Sequence, residues 1–180
     1  MTDETNSSDV VSVPHEQGVH VERSTTVYQP VGEVYAFWRD PSRLAETISA
    51  IRAAEKVGEN RIHFQLDLPI GMESDFDAEV YTDEPNEVVS WRSLDGSPVQ
   101  AAAAVRFRPA PADRGTEVKL TLEFVPPAGP LGKALLTLFG EAPNKFVDEI
   151  LRESKAMLEA GELPTTKGQP SGRADDGSPA

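Results

Sequence analysis

The sequence predicts an α+β fold: a curved antiparallel sheet of about seven strands, one long C-terminal helix laid across it, and two short helices after the first strand. Three observations carry this. Between Val19 and Phe124 apolar residues recur mostly at every second position, the period of a half-buried strand. Beyond Pro130 the period changes. Phe146, Val147, Ile150, Leu151, Met157 and Leu158 recur at three- and four-residue intervals while Asp148, Glu149, Arg152, Glu153, Lys155 and Glu159 take the other side, so this stretch is an amphipathic helix. Between the first two strands, Val31, Val34, Tyr35 and Trp38 are spaced as one short helical face.

Met1 to Gly18 is rich in Ser, Thr, Asp, Asn and Glu with scattered valines, too little apolar surface to offset the entropy of ordering it, so residues 1–18 are expected to be a disordered acidic tail. Val19 to Tyr28 is the first strand, with Val19, Val21, Thr25 and Val27 on one side and His20, Glu22, Ser24 and Thr26 on the other. Pro30 stops it and starts a helix, and Asp40-Pro41-Ser42 breaks that helix before a second helical turn over Arg43 to Ile48. The strands then come as hairpins: Ile51 to Val57, Arg61 to Leu68, and Met72 to Thr82, with turns at Gly58-Glu59-Asn60 and Pro69-Ile70-Gly71. In the third, Met72, Ser74, Phe76, Ala78 and Val80 face inward and Glu73, Asp75, Asp77 and Glu79 outward. Pro85-Asn86 leads into Glu87 to Ser93, where Val89 and Trp91 share the inner face, and Asp95-Gly96-Ser97-Pro98 into Val99 to Pro109. Ala101 to Ala104 favours helix by propensity, but eight residues between turn signals with alternation downstream argue for a strand of small side chains. Thr116 to Val125 points Val118, Leu120, Leu122 and Phe124 inward. A short helix over Leu131 to Phe139, a break at Gly140 and Pro143, and the long helix ending at Gly161 complete residues 19–161, expected as one domain. Residues 162–180 are expected to be mostly flexible.

A chain of 180 residues with 38% hydrophobic content supports one core burying roughly 70% of its unfolded surface. No cysteine is present, which excludes a disulfide framework, thiolate metal sites and a cysteine nucleophile. The formal net charge of −13 repels phosphate backbones and anionic membranes, so no nucleic-acid partner is expected. No apolar run reaches the ~20 residues of a membrane span, and Met1 to Gly18 has no basic or apolar leader region, which points to the cytoplasm.

The order strand, two short helices, six strands, long helix resembles the START-like superfamily, also called SRPBCC. The run from Thr26 through Pro30 to Trp38 carries the likeness, with Leu68-Pro69-Ile70-Gly71, Glu84-Pro85-Asn86-Glu87, Trp91-Arg92-Ser93, Arg114-Gly115-Thr116-Glu117-Val118 and Leu138-Phe139-Gly140. It covers about residues 19–170 and is similar to small bacterial proteins of cyclase/dehydrase, coenzyme Q-binding or START type. The resemblance implies the helix-grip fold, a sheet wrapped around the long helix, often with an apolar pocket between them. It implies an entrance near the Val31 to Ile48 helices and the Pro69-Ile70-Gly71 turn. Members range from lipid carriers to enzymes, so fold alone does not give the activity.

The residues themselves offer little chemistry. Alternate carboxylates of the Glu73, Asp75, Asp77 and Glu79 comb lie about 6.5 to 7 Å apart, too far for one ion to gather them unaided, so they read as a solvated outer face. His20 and His63 fall on outward strand positions without a nucleophile or metal spacing. Arg92, Arg106 and Arg108 read as cross-strand partners, although one turned inward would anchor a carboxylate. No catalytic residue, cofactor or metal is assigned.

What remains is space. Ser74, Ala78, Ala101 and Ala103 are small side chains on the inner face where the helix should lie, amid Trp38, Phe64, Phe76, Trp91, Phe139 and Phe146, while Leu66, Leu120, Leu122 and Ile150 supply aliphatic surface. Tyr35, Ser74 and Ser93 are the expected polar groups. These residues define a candidate pocket for a small hydrophobic or amphipathic ligand, in the classes the resemblance implies a lipid, an isoprenoid quinone or a polyketide-like molecule. A cyclase or dehydratase using the same pocket, and an interaction module docking through the outer face or a tail, are the alternatives. Protein partners are not indicated.

Overall fold

Alternating strands pair into one sheet because each buries its apolar side and leaves its charged side to water. In the computed structural model, which describes residues 18–68, 72–139 and 143–161 of the chain, the strands are β1 (Val19–Val27), β2 (Ile51–Lys56), β3 (Arg61–Leu68), β4 (Met72–Glu84), β5 (Val88–Ser93), β6 (Gln100–Pro109) and β7 (Thr116–Val125). They form one antiparallel sheet in the order β1-β7-β6-β5-β4-β3-β2. Strands β2 to β7 pair successively along the chain, but β1 pairs with β7. The link from β1 to β2 therefore has to cross the sheet from one edge to the other, and α1 (Val31–Arg39) and α2 (Pro41–Thr47) form it. After β7 come α3 (Pro130–Phe139) and the long α4 (Pro143–Ala160). This is the helix-grip arrangement that the order of elements predicts.

The alanine run is strand, as expected: Ala101, Ala102 and Ala103 pair with Phe124, Glu123 and Leu122, and backbone partners on both sides outweigh alanine's helical preference. Two boundaries differ from expectation by two residues. α2 begins at Pro41, because Asp40 is a cap whose carboxylate accepts the Ser42 N–H at 2.9 Å and Pro41 needs no partner at the first helical position. β4 runs on to Glu84 through a bulge between Val80 and Thr82. Gly115 enters β7 at φ +90°, where an added Cβ would lie 2.1 Å from the Val27 carbonyl oxygen, so this turn against the end of β1 requires glycine.

α4 packs chiefly on β1 and less on β7, α2 and α3. Val147 and Leu151 are its buried apolar residues among those described, whereas Phe146, Ile150, Met157 and Leu158 are half-buried. Its last turns are tied to the end of β1: the Tyr28 N–H donates to Glu159 Oε1 at 2.7 Å, Gln29 Nε2 to the Leu158 carbonyl at 2.9 Å and Lys155 Nζ to the Thr26 carbonyl at 2.7 Å. Gly161 closes the helix at φ +69°, its N–H bonded to the Met157 carbonyl. One residue departs from the expected polar face. Glu153 is buried, 8% exposed, and accepts the Ser49 N–H at 3.0 Å, fastening α4 to the α2–β2 connection. The Pro69-Ile70-Gly71 turn, the helix break at 140–142 and the expected tails at 1–17 and 162–180 lie outside the described residues.

The buried anchors set a stability prediction. Leu151→Ala should cost about 2 to 5 kcal/mol, and Ile150→Ala, at a half-buried position, less than about 2. Equal losses in chemical denaturation would refute this assignment of the helix face.

Candidate ligand cavity

Cross-strand partners share a face, so the register fixes which side chains meet on the concave side of the sheet. Phe64 faces Phe76, with rings 5.7 Å apart and stacked. Ala78 faces Ser93, Trp91 faces Ala103, which faces Leu122 in turn, and Ala101 faces Phe124. Large side chains thus surround a patch of small ones. Above that patch lies a cavity of about 170 Å³. Its wall is nearly all apolar. On the sheet it is made by Phe64, Leu66, Phe76, Ala78, Trp91, Arg92, Ser93, Ala101, Ala102, Ala103, Leu120, Leu122 and Phe124, and on the helices by Trp38, Leu135, Phe146 and Ile150. Ala101, Ala103, Leu122, Phe76 and Ile150 are only half-buried despite their inward positions, because their remaining surface borders this space.

Of the residues singled out in the sequence, Tyr35 and Ser74 stand off the wall, and the Phe139 side chain lies outside the described residues. The β4 bulge explains Tyr35. By skipping Tyr81 it pairs Asp83 with Val89, swinging a carboxylate onto the side that packs α1, where it accepts from Tyr35 Oη and Arg39 Nε, each at 2.5 Å. Partial burial and the hydrogen bond to Asp83 push the Tyr35 phenol above its usual pKa. Ser74 is buried opposite Leu66, which reaches the wall where Ser74 does not. Ser93 does line the cavity, but its Oγ accepts the Ala101 N–H at 3.0 Å where the β5–β6 ladder ends.

The sequence reading missed the α2–β2 connection, where Leu44, Ile48, Ala50 and Ile51 close one side of the cavity. Leu44 and Ile48 are four residues apart, and that spacing becomes a helical face once Asp40-Pro41 is taken as a helix start. Val99 also reaches the wall from the β5–β6 loop.

Charged groups are engaged elsewhere. Arg92 bonds Glu79 at 2.6 Å and lies 4.3 Å from the Tyr81 ring centroid, so its charge does not serve an inward anchor. His63 bonds Asp77 at 2.7 Å with Asp75 beside it, Arg52 pairs with Glu73, and His20 bonds the buried Glu123 at 2.7 Å, so the carboxylate comb is part of a cross-strand charge network. Among the described residues no three His, Asp or Glu side chains come together as a metal site. No helix there is long and apolar enough to cross a membrane. Trp38 and Trp91 also belong to the wall, but their indole N–H groups are buried away from its surface, with no acceptor among the described residues.

Residues 27–150 match the family described as polyketide cyclase / dehydrase and lipid transport. The chain belongs to that family. The matched span runs from the last residue of β1 to Ile150 and takes in the whole described wall. Among solved structures, a Deinococcus radiodurans protein is similar at 28% identity, over 80% of this chain and 100% of its own, with a TM-score of 0.63. The Zhui aromatase/cyclase from Streptomyces sp. R1128 aligns at 18% identity, over 82% of this chain and 100% of its own, with a TM-score of 0.61. A di-domain aromatase/cyclase of the steffimycin biosynthetic pathway aligns at 14% identity over 79% of this chain and 51% of its own, with a TM-score of 0.58. At such identities the last two show the shared fold alone. No curated protein matches the chain in sequence.

Two predictions arise from this geometry. Glu153→Ala should destabilise the protein by about 1 to 3 kcal/mol by stripping the Ser49 N–H of its acceptor, whereas Glu149→Ala on the exposed face should stay within roughly 0.5. Equal melting of the two would rule out the tether. In ultraviolet titration, one phenol should ionise above the ordinary tyrosine range, and Tyr35→Phe should abolish that step; a titration unchanged in the variant would count against the Asp83 bond.

Proposed function

We propose that the protein binds one compact, largely apolar molecule in the cavity between sheet and helices. The observation that carries this is the space itself. Left empty, an apolar space of about 170 Å³ forgoes packing that, at the ~24 cal/mol per Å³ of a closed cavity, comes to at most about 4 kcal/mol. That is a large share of a typical domain's stability of roughly 5 to 15 kcal/mol. Longer side chains at Ala78, Ala101 or Ala103 would fill the void at once, so an occupant is the simplest account of alanine at all three.

The volume also limits the occupant. An engineered apolar cavity of about 150 Å³ takes benzene, so this one suits a molecule of one or two rings. A whole isoprenoid quinone, a lipid tail or an extended polyketide would fit only by displacing part of the wall. Family membership supports an apolar ligand, and the absence of an ion-rich wall agrees with it. A second reading is cyclisation or dehydration of a bound substrate, favoured by the family description and by the aromatase/cyclases among the structural neighbours. It requires an acid–base pair facing the substrate. The described wall offers none, so binding is the better-supported reading. An interaction module is less well supported, since the exposed large apolar residues Tyr28, Val57, Tyr81 and Leu136 stand on separate elements.

Naphthalene, titrated through the fluorescence of Trp38 and Trp91, should bind saturably to the wild-type protein. Ala103→Leu should abolish binding while changing stability by less than about 1 kcal/mol, because the added side chain enters space already empty. A wild-type protein that shows no saturable response, with an Ala103→Leu variant destabilised by the roughly 1 to 3 kcal/mol of an overpacked core, would overturn the reading.

A further inference from the structure

A cavity that takes an oxygen-bearing ligand ordinarily keeps a few convergent polar groups among its hydrophobic side chains, and these fix the ligand's orientation. Here each nearby polar group is directed elsewhere. Ser74 is buried off the wall, and the Tyr35 hydroxyl donates to Asp83 outside it. Ser93 Oγ is drawn to the end of the β5–β6 ladder, where it accepts the Ala101 N–H at 3.0 Å. Arg92 is the only charged residue of the described wall, and its guanidinium bonds Glu79 and lies over the Tyr81 ring. The indole N–H groups of Trp38 and Trp91 are buried away from the surface. Strand pairing occupies the backbone, since Trp91 lies between Val80 and Ala103, and Ala103 between Trp91 and Leu122. What faces the space is carbon.

A carbonyl or hydroxyl carried into such a space leaves water and meets no partner, which is unfavourable even when the ring around it fits. The wall therefore selects by exclusion: it separates two molecules of one shape through the polar group that one of them would leave unpaired. We propose, resting on the cavity reading above, that the natural ligand is a cyclic hydrocarbon of arene or terpene type, with no oxygen or nitrogen inside the cavity. Quinone-like and polyketide-like molecules, each bearing carbonyls, are then the classes this wall turns away.

Indane and 1-indanone share one skeleton and differ by a carbonyl oxygen, so calorimetric titration of both into the full-length protein isolates the effect. Indane should bind roughly ten- to a hundredfold more tightly than its ketone. Ala103→Ser, which carries one hydroxyl to the wall, should tighten binding of 1-indanone and not of indane. A wild-type protein that binds 1-indanone as tightly as indane, or more tightly, would overturn the hydrocarbon inference while leaving the cavity reading intact. Binding of neither compound would overturn both.

Discussion

Val147 and Leu151 seat α4 against the sheet's β1 margin, and the bonds from Tyr28, Gln29 and Lys155 hold its last turns there, so the helix is fastened over one edge. A straight helix tied along that edge cannot also press on the centre of a curved seven-stranded sheet. The middle strands must be covered by something else, and the chain supplies α1 and α2 from the β1–β2 crossover and α3 from the other end. Glu153 joins the two coverings by holding Ser49 at the α2–β2 connection. Each element reaches over the rim of the sheet, and the uncovered centre becomes the cavity.

The cavity is not a sign of loose packing. Val34, Phe37, Val89, Val105 and Val118 form a close-packed core on the α1 side, and Val99, Phe124 and Leu135 form a second cluster under α3. Between them the described residues leave empty volume where Ala78, Ala101 and Ala103 stand in place of longer side chains. A void bounded by rigid packing keeps its shape, because neighbouring side chains cannot relax into it without leaving their own contacts.

Most of this fold was legible from period alone. Strict alternation in β4 and β7 and the three-and-four spacing of α4 left no competing assignment, and turn residues marked the hairpins. Inward positions were legible for the same reason: in a strand, knowing one inward residue fixes the rest. What could not be read were effects of tertiary geometry. Glu153 fits the polar stripe of an amphipathic helix, and only the nearness of the Ser49 N–H makes its burial favourable. Tyr35 looked like an inward polar group on α1, but the β4 bulge presents Asp83 to it and draws it outward. Bulges leave little trace in a sequence, since one extra residue preserves composition while reversing every side chain beyond it.

The same distinction bears on recognition. Aromatic residues in a core are expected from hydrophobicity, and nothing in the sequence separates a tryptophan used for bulk from one used for its N–H. Partnering makes the separation. A core tryptophan normally finds a carbonyl for its indole, and a backbone with many carbonyls makes this easy to arrange. Trp38 and Trp91 have none among the described residues. The sheet spends its own carbonyls on strand pairing and the helices spend theirs within each helix, so regular structure around a cavity leaves few acceptors for inward donors.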